Sequence, residues 1–457
     1  MRPAPPPAAD LVALARRRAA SDPDQVGYTF LADGESDEWN LAYGDLDRQA
    51  RAVAGRLRGV CAPGDRALLL YDPGLEFVAA FFGCLYAGAV PVPAYPPDPL
   101  RRERMLPRLR AIADDCRPAA VLGTAASLEP AAPLLAGPLA GARAITTEDV
   151  STSPDAPWVP PELTPDDVAF LQYTSGSTGT PRGVMVTHAN LLYQVAQIHR
   201  ADVADAVGVS WLPVYHDLGL VCGVLAPLYS GRRVVSMSPL AFVQWPLRWL
   251  RAIARYRATT TGGPDFAYAL CARKFRPADA DGLDLSCWRI ALSGAETVRP
   301  ETLERFNVTF APYGFRPETW MPCYGLAEAT LGVTDSVGIG PVINAFDAAE
   351  LERGRASAAA PAARSARRLV GCGRPFGGTE VVIVDPQRGV ALSEGGVGEV
   401  WVRGPAWPAA TGTAPRTPRR PSPPASPTTP GAARSCAPAT WRSSMAACST
   451  RSPGSRR

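Results

Sequence analysis

Apolar positions along residues 10–60 recur at helical spacing. Leu11, Val12, Leu14 and Ala15 share one face, and Leu46, Ala50, Val53 and Leu57 mark a second stripe, so two amphipathic helices are predicted. Ala67 to Tyr71 is a short apolar run with the length of a buried strand. Glu76 to Ala87 is apolar on all sides, which predicts a buried helix ended by Gly88. Val90-Pro91-Val92-Pro93 begins another extended piece, and Ala119 to Leu122 repeats the strand pattern. Residues 168–335 alternate in the same way. Strands alternating with helices predict an α/β protein built on sheets with crossover helices. Residues 378–404 change character, with Thr379 to Val384 and Gly398 to Val402 as short strands between Gly-rich turns, which predicts a small β unit. The stretch 341–372, with almost only small residues from Ala356 to Ala363, interrupts the pattern as an insertion or loop.

The length of 457 residues exceeds one ordinary core, so two or three packed units are expected. With 46% hydrophobic and 20% charged residues the chain reads as soluble and globular. No apolar run reaches the roughly 18 residues of a membrane span. The start, Met1 to Pro7, has no apolar centre and does not read as a secretory signal. Ten cysteines form no Cys-x-x-Cys pair and only three histidines occur, which argues against a disulfide framework or a zinc site and for reduced, cytoplasmic thiols. Lys274 is the single lysine among 47 basic side chains, the mark of a GC-rich genome.

The net charge of +4 belongs to one end. Residues 405–457 carry eight arginines and no acidic residue, whereas residues 1–404 carry 39 basic and 43 acidic side chains and a net charge of −4. A nucleic-acid-binding body loses its main support. Eleven prolines fall in the last 53 residues, among Ser, Thr, Ala and Arg, and such a segment cannot bury enough apolar surface to offset its ordering entropy.

The chemistry concentrates between residues 168 and 330. Leu171-Gln172-Tyr173-Thr174-Ser175-Gly176-Ser177-Thr178-Gly179-Thr180-Pro181-Arg182-Gly183-Val184 reads as a loop between two strands. Its glycines permit close backbone approach, its hydroxyls donate, and Arg182 can fork onto oxyanions, a combination suited to a triphosphate. The pattern is not a Walker loop, because no Gly-Lys-Ser/Thr follows. A flexible Gly/Ser connector is the alternative, weakened by β-branched runs on both sides. Ser210 to Leu220 sets His216 and Asp217 beside Trp211 and Tyr215; taken alone, His216 reads slightly better as a satisfied core histidine. Ile290 to Glu296 is a strand ending in Ser293-Gly294-Ala295-Glu296, either a tight turn or a place where a flat ring meets backbone. Tyr324-Gly325-Leu326-Ala327-Glu328-Ala329-Thr330 offers an aromatic face and a carboxylate that could hold Mg²⁺, or simply opens a helix. Gly371-Cys372-Gly373-Arg374-Pro375 reads as a turn.

In this order and at these separations, the segments resemble the adenylate-forming (AMP-binding) superfamily of acyl and aryl ligases over residues 10–404. The chain looks most like a fatty acyl-AMP ligase, on Val92-Pro93-Ala94-Tyr95-Pro96-Pro97, Trp211 to Asp217 and Tyr324 to Thr330, with the insertion 341–372 where this subfamily is distinguished from CoA ligases. Many members have Thr where Ala327 stands. The resemblance implies a large domain of two α/β subdomains and a small β-barrel-like subdomain, followed by a mobile C-terminal domain. It implies ATP and Mg²⁺, with Thr174, Ser175, Gly176, Ser177, Thr178, Gly179 and Arg182 around the β and γ phosphates. Tyr324 would stack on adenine, Gly294, Ala295, Glu296 and Gly325 would line the nucleotide site, Glu328 would hold the metal, and His216 would sit near the substrate carboxylate. A fatty acid would become acyl-AMP with release of pyrophosphate and pass to an acyl carrier protein. An acyl-CoA ligase and a non-catalytic nucleotide- or acyl-binding remnant are the competing readings.

The family's Thr-Gly-Asp-Leu ribose segment and C-terminal lysine do not occur in the translated chain, so it is expected to be impaired. Residues 405–457 read either as a natural disordered tail or as an out-of-frame translation. With third bases chosen freely, one shifted frame turns residues 407–422 into Ala-Gly-Gly-Tyr-Trp-Asp-Arg-Pro-Glu-Asp-Thr-Ala-Ala-Thr-Phe, and Pro438-Ala439-Thr440-Trp441 into Thr-Gly-Asp-Leu. The DNA after the Gly404 codon should keep that frame open; early stop codons in it would overturn the out-of-frame reading.

Overall fold

The computed structural model describes residues 8–97, 102–148, 158–174, 181–200 and 206–407. Ser175, Gly176, Ser177, Thr178 and Gly179 of the Gly-rich loop, and the tail from 408, lie outside the described residues.

Asp10 starts the first helix, Leu11–Ser21, by accepting a hydrogen bond from the Ala13 amide at 2.7 Å. Its stripe Leu11, Val12, Leu14 and Ala15 is buried, and so is Leu46, Ala50, Val53 and Leu57 on the helix Tyr43–Leu57. Leu75–Tyr86, buried from Phe77 onward, packs against Tyr43–Leu57. The helices can close because residue 83 has no side chain: a Cβ at Gly83 would lie 2.4 Å from the Cβ of Val53.

These helices cover a four-stranded parallel sheet in the order Val90–Ala94, Arg66–Leu70, Ala120–Gly123, Arg143–Thr146. The Val90 amide donates to Asp65, so the prolines at 91 and 93 face the free edge, where a missing donor breaks no ladder. The predicted strands flanking the Gly-rich loop form a hairpin, Val168–Thr174 with Arg182–Thr187, in which Thr174 faces Arg182 across the ladder.

The second alternation builds a nine-stranded sheet. Its order is Arg374–Pro375, Gly332–Asp335, Trp320–Gly325, Ile290–Ser293, Thr260–Gly263, Gly208–Ser210, Val234–Met237, Val26–Leu31, Glu38–Ala42. The six strands from Trp320–Gly325 to Val26–Leu31 are parallel, and antiparallel strands close both sides. Beneath them an aromatic cluster fills one face. Trp211 stacks on Phe242 with centroids 3.9 Å apart, and Trp249, Tyr268, Trp288, Phe306 and Trp320 continue the packing.

One local expectation changes and two gain detail. Arg374–Pro375, predicted as a turn, is the outermost strand of the large sheet, because Thr334 and Asp335 offer it a free edge. The insertion is ordered: Ile343–Asp347 pairs antiparallel with Ala366–Val370 around a short helix, Ala348–Glu352, and Arg368 ties it to Glu304 on the helix Pro300–Phe310. The small β unit is a three-stranded sheet of Val390–Ala391, Glu380–Asp385 and Glu399–Arg403. Packing also runs past residue 404. Asn190 Nδ2 donates to the Pro405 carbonyl at 3.0 Å, Thr330 Oγ1 donates to that of Ala406, and Ala406 is buried.

Replacing Gly83→Val should push the helices Tyr43–Leu57 and Leu75–Tyr86 apart and lower stability by about 1–3 kcal/mol. Urea unfolding measures this as a lower midpoint; an unchanged midpoint would show that the contact yields freely.

Candidate active site

Parallel strands send their following loops to one edge of the sheet, so segments far apart in sequence meet there. Strand Gly208–Ser210 leads to Trp211 and on to His216, which precedes the short helix Asp217–Leu220. Strand Ile290–Ser293 leads to Gly294 and Ala295. Trp320–Gly325 ends in Tyr324 and Gly325, followed by a tight turn, Ala327–Ala329, that carries Glu328.

Two backbone positions at this edge are strained. Ala295 has φ +66° and Thr330 has φ +68°, conformations that cost about 1–3 kcal/mol each for residues with a side chain. Two glycines permit the close turns: a Cβ at Gly325 would lie 2.0 Å from the Leu331 carbonyl oxygen, and one at Gly294 would lie 2.6 Å from Cys323 Sγ. The backbone is thus pressed tightly around the ends of adjacent strands.

A cavity of about 400 Å³ opens here. Thr174, His216, Ala295, Tyr324, Gly325 and Glu328 line it together. Burial, then the nearby Glu328 carboxylate, push the Tyr324 phenol up, which places that carboxylate beside the ring. Gly294 is not among the residues that line the cavity; it packs against Cys323, which does. Glu296, expected beside the nucleotide, instead accepts a hydrogen bond from the Phe266 amide at 2.6 Å and supports the first turn of the helix Asp265–Lys274. Its carboxylate is drawn to the unpaired amides of that helix end. Arg182 is exposed at the start of its strand, next to the Gly-rich loop.

His216 differs from the other two histidines. His188 and His199 are buried; His188 accepts from the Leu11 amide through Nδ1, and burial pushes its pKa down. The His216 ring keeps 55% of its surface exposed, with Nδ1 2.6 Å from Asp217 Oδ1. The same carboxylate oxygen accepts from the Leu218 amide at 2.6 Å. Asp217 therefore fixes the proton on Nδ1 and leaves Nε2 for a ligand. The hydrogen bond to Asp217 is the main reason that the imidazole pKa is raised above its usual value, against a smaller loss from burial.

The loop before His216 is anchored from both other layers. Gln172 Nε2 donates to the Tyr215 carbonyl at 2.9 Å, fixing the hairpin that carries Thr174. Tyr95, in the Pro-rich segment after the edge strand, meets the Tyr215 ring edge-on at 4.7 Å.

Sequence reasoning missed the depth of the cavity. Beyond His216 it continues between the large sheet, through Val209, Thr260 and Leu292, and a helical wall that supplies Gln194, Ile198, Cys222 and Ala226. Those residues sit in ordinary helical and strand patterns, and nothing local sets them apart.

Strained loops over a cavity at the carboxyl edge of a parallel sheet define a ligand-binding α/β protein of the open-sheet class. Residues 15–409 match the family described as AMP-binding enzyme. The chain is 43% identical over 404 residues to the medium-chain-fatty-acid–[acyl-carrier-protein] ligase JamA of Moorena producens, covering 87% of this chain and 68% of that one. It is 36% identical to the long-chain-fatty-acid–AMP ligase FadD32 of Mycolicibacterium smegmatis, over 87% of this chain and 65% of that one. The crystal structure of a fatty acyl-adenylate ligase from L. pneumophila, in complex with acyl adenylate and pyrophosphate, superimposes with a TM-score of 0.82 at 38% identity, covering 89% of this chain and 71% of that one. The chain belongs to the AMP-binding, adenylate-forming enzyme family, within its fatty acyl-AMP ligase branch. It spans about two thirds of the length of these curated relatives.

Because Asp217 favours the imidazolium in the folded chain, the pair stabilises the fold fully below the ordinary imidazole pKa of 6.5, and that contribution is lost as pH rises through the raised folded value. In an NMR titration His216 should titrate above 6.5, and Asp217→Asn should lower its midpoint. A midpoint unmoved by the substitution would remove Asp217 as the cause.

Proposed function

We propose that the protein activates a fatty acid with ATP, forming acyl-adenylate and pyrophosphate, and that the acyl group then passes to an acyl carrier protein. One observation carries the reading: Thr174, His216, Ala295, Tyr324, Gly325 and Glu328 line the mouth of one cavity that runs on between sheet and helices as a mainly apolar channel. A polar head and an apolar tail of the ligand each find a matching part of it. Membership of the family supports the chemistry. JamA, named for a medium-chain acid and a carrier protein, supports the substrate and acceptor.

In the reaction a carboxylate oxygen of the acid bonds to the α-phosphorus of ATP, and the bond from that phosphorus to the bridging oxygen breaks, releasing pyrophosphate. No protein nucleophile takes part, so the chain contributes positioning and charge neutralisation. Tyr324 and Ala295 take the two sides of the adenine, with Gly294 and Gly325 keeping the backbone close. Glu296 supports that wall through its helix contact. Thr174 and Arg182, with Ser175, Gly176, Ser177, Thr178 and Gly179 between them, take the β and γ phosphates, the guanidinium forking onto phosphate oxygens. His216, protonated on Nδ1 by Asp217, presents Nε2 to the acid's carboxylate, and an imidazolium there orients it by charge.

Among the described residues no three His, Cys, Asp or Glu side chains gather as a metal site. A lone carboxylate suits magnesium, which takes most of its ligands from phosphate oxygens and water. Glu328 is the residue that would hold it, and the ion would neutralise phosphate charge.

The carrier-protein acceptor is supported by the ordered insertion 341–372, held on the helix Pro300–Phe310, since the fatty acyl-AMP ligase branch is distinguished there from CoA ligases. A cytoplasmic setting is part of the proposal, supported by ten cysteines with no Cys-x-x-Cys pair; among the described residues no helix is long and apolar enough to cross a membrane. The out-of-frame reading of the tail belongs with it. Its support is the codon compatibility and the Pro- and Arg-rich composition after the packed body.

The test is pyrophosphate release and mass-spectrometric detection of acyl-AMP with ATP and medium- or long-chain acids, on this chain and on the chain continued in the shifted frame. Release is expected from the continued chain, with Glu328→Gln reducing it by about 10²-fold. Acyl transfer is expected to carrier protein over CoA. Absence of acyl-AMP from both chains, or equal transfer to CoA, would overturn the corresponding part.

A further inference from the structure

The inference rests on the reading of the inner cavity as the seat of an acyl chain. Its sheet wall comes from Gly208–Ser210, Thr260–Gly263 and Ile290–Ser293, and its helical wall from His188–His199 packed against Val221–Leu225 and Ala226–Ser230. Much of the lining is apolar, as a plain hydrocarbon chain requires. Two groups are not. Gln194, on the helical wall, has no exposed surface, and among the described residues neither its Nε2 nor its Oε1 has a hydrogen-bond partner. Thr260, on the sheet wall, lines the same cavity with a buried Oγ1 that also lacks a partner.

Buried polar groups are almost always hydrogen-bonded, because leaving one dry and unpaired destabilises the fold. Neither residue type is required here by the fold. Leu or Met would occupy the middle of the helix His188–His199 with equal or better propensity, and Val has the shape of Thr in a strand. An amide presents one acceptor and two donors, and the group that answers both from within a hydrocarbon chain is a hydroxyl, with a carbonyl oxygen answering the donors.

We propose that Gln194 is a specificity-determining residue that selects acids carrying a hydroxyl or keto oxygen along the chain, with Thr260 as a second hydrogen-bonding position. A plain chain excludes water from the amide and leaves it unpaired; an oxygenated chain supplies the missing partner. Discrimination then comes from the unpaired protein group as much as from the new bond.

The test is calorimetric binding of dodecanoic acid and a series of its monohydroxy and keto derivatives to the wild type, Gln194→Leu and Thr260→Val. The wild type should bind at least one oxygenated acid about tenfold more tightly than the plain acid. Gln194→Leu should abolish that ratio by weakening the oxygenated acid and strengthening the plain one. It should also raise the melting temperature of the ligand-free protein, which shows at once that the variant folds and that the amide is unsatisfied. Thr260→Val should reduce the ratio partially, and AMP affinity should be unchanged in both. Plain acid bound as well as every derivative, or a ratio unchanged in Gln194→Leu, overturns the proposal while the acyl cavity stands. Loss of AMP affinity in Gln194→Leu with the acid ratio intact overturns it by assigning the amide to the nucleotide. Failure of every acid to bind overturns both this proposal and the reading on which it rests.

Discussion

Six parallel strands in one sheet impose a direction on everything else in this molecule. Parallel pairing requires each strand to be followed by a crossover, and the crossovers return the chain so that every strand ends at the same edge. The loops after Gly208–Ser210, Ile290–Ser293 and Trp320–Gly325 must therefore converge, although His216 and Ala327 are 111 positions apart in sequence. Convergence also explains the strain. Ala295 and Thr330 sit in left-handed backbone because each strand end must turn within the space left by its neighbours.

Rigidity below this edge keeps the loops in register. The aromatic cluster from Trp211 to Trp320 packs side chains with few rotatable bonds against one face of the sheet, so the strands beneath the cavity have little freedom to slide. Trp211 belongs to that cluster and begins the segment that ends in His216. The same segment is held from above by Gln172 and Tyr95. A single loop is thus anchored in the large sheet, the hairpin and the four-stranded sheet, and the imidazole inherits its position from all three.

Periodicity made much of this readable. The helices Leu11–Ser21, Tyr43–Leu57 and Leu75–Tyr86 follow from apolar spacing, because a buried face must repeat at the helical period. The strands around the Gly-rich loop follow from β-branched runs, and His216-Asp217 were adjacent in sequence before they were paired in space. Other features were not readable. Arg374–Pro375 looked like a turn because a two-residue edge strand has no pattern of its own; only the free edge of Gly332–Asp335 makes it a strand. Glu296 stood next to the expected nucleotide wall, and the open amides of a neighbouring helix end drew it away. The insertion, poor in apolar residues, is ordered by main-chain pairing and by Arg368 with Glu304, a partner 64 residues away.

By itself the sequence determined the alternation of strands and helices, the glycines where backbone must approach backbone, and the residue types at the mouth of the cavity. Each of these is a local property, set by side-chain period, backbone freedom or charge. The tertiary structure alone decided the inner cavity and the isolation of the Gln194 amide within it. Whether a buried polar group is paired depends on neighbours brought in from several strands and helices, and no local pattern encodes their absence.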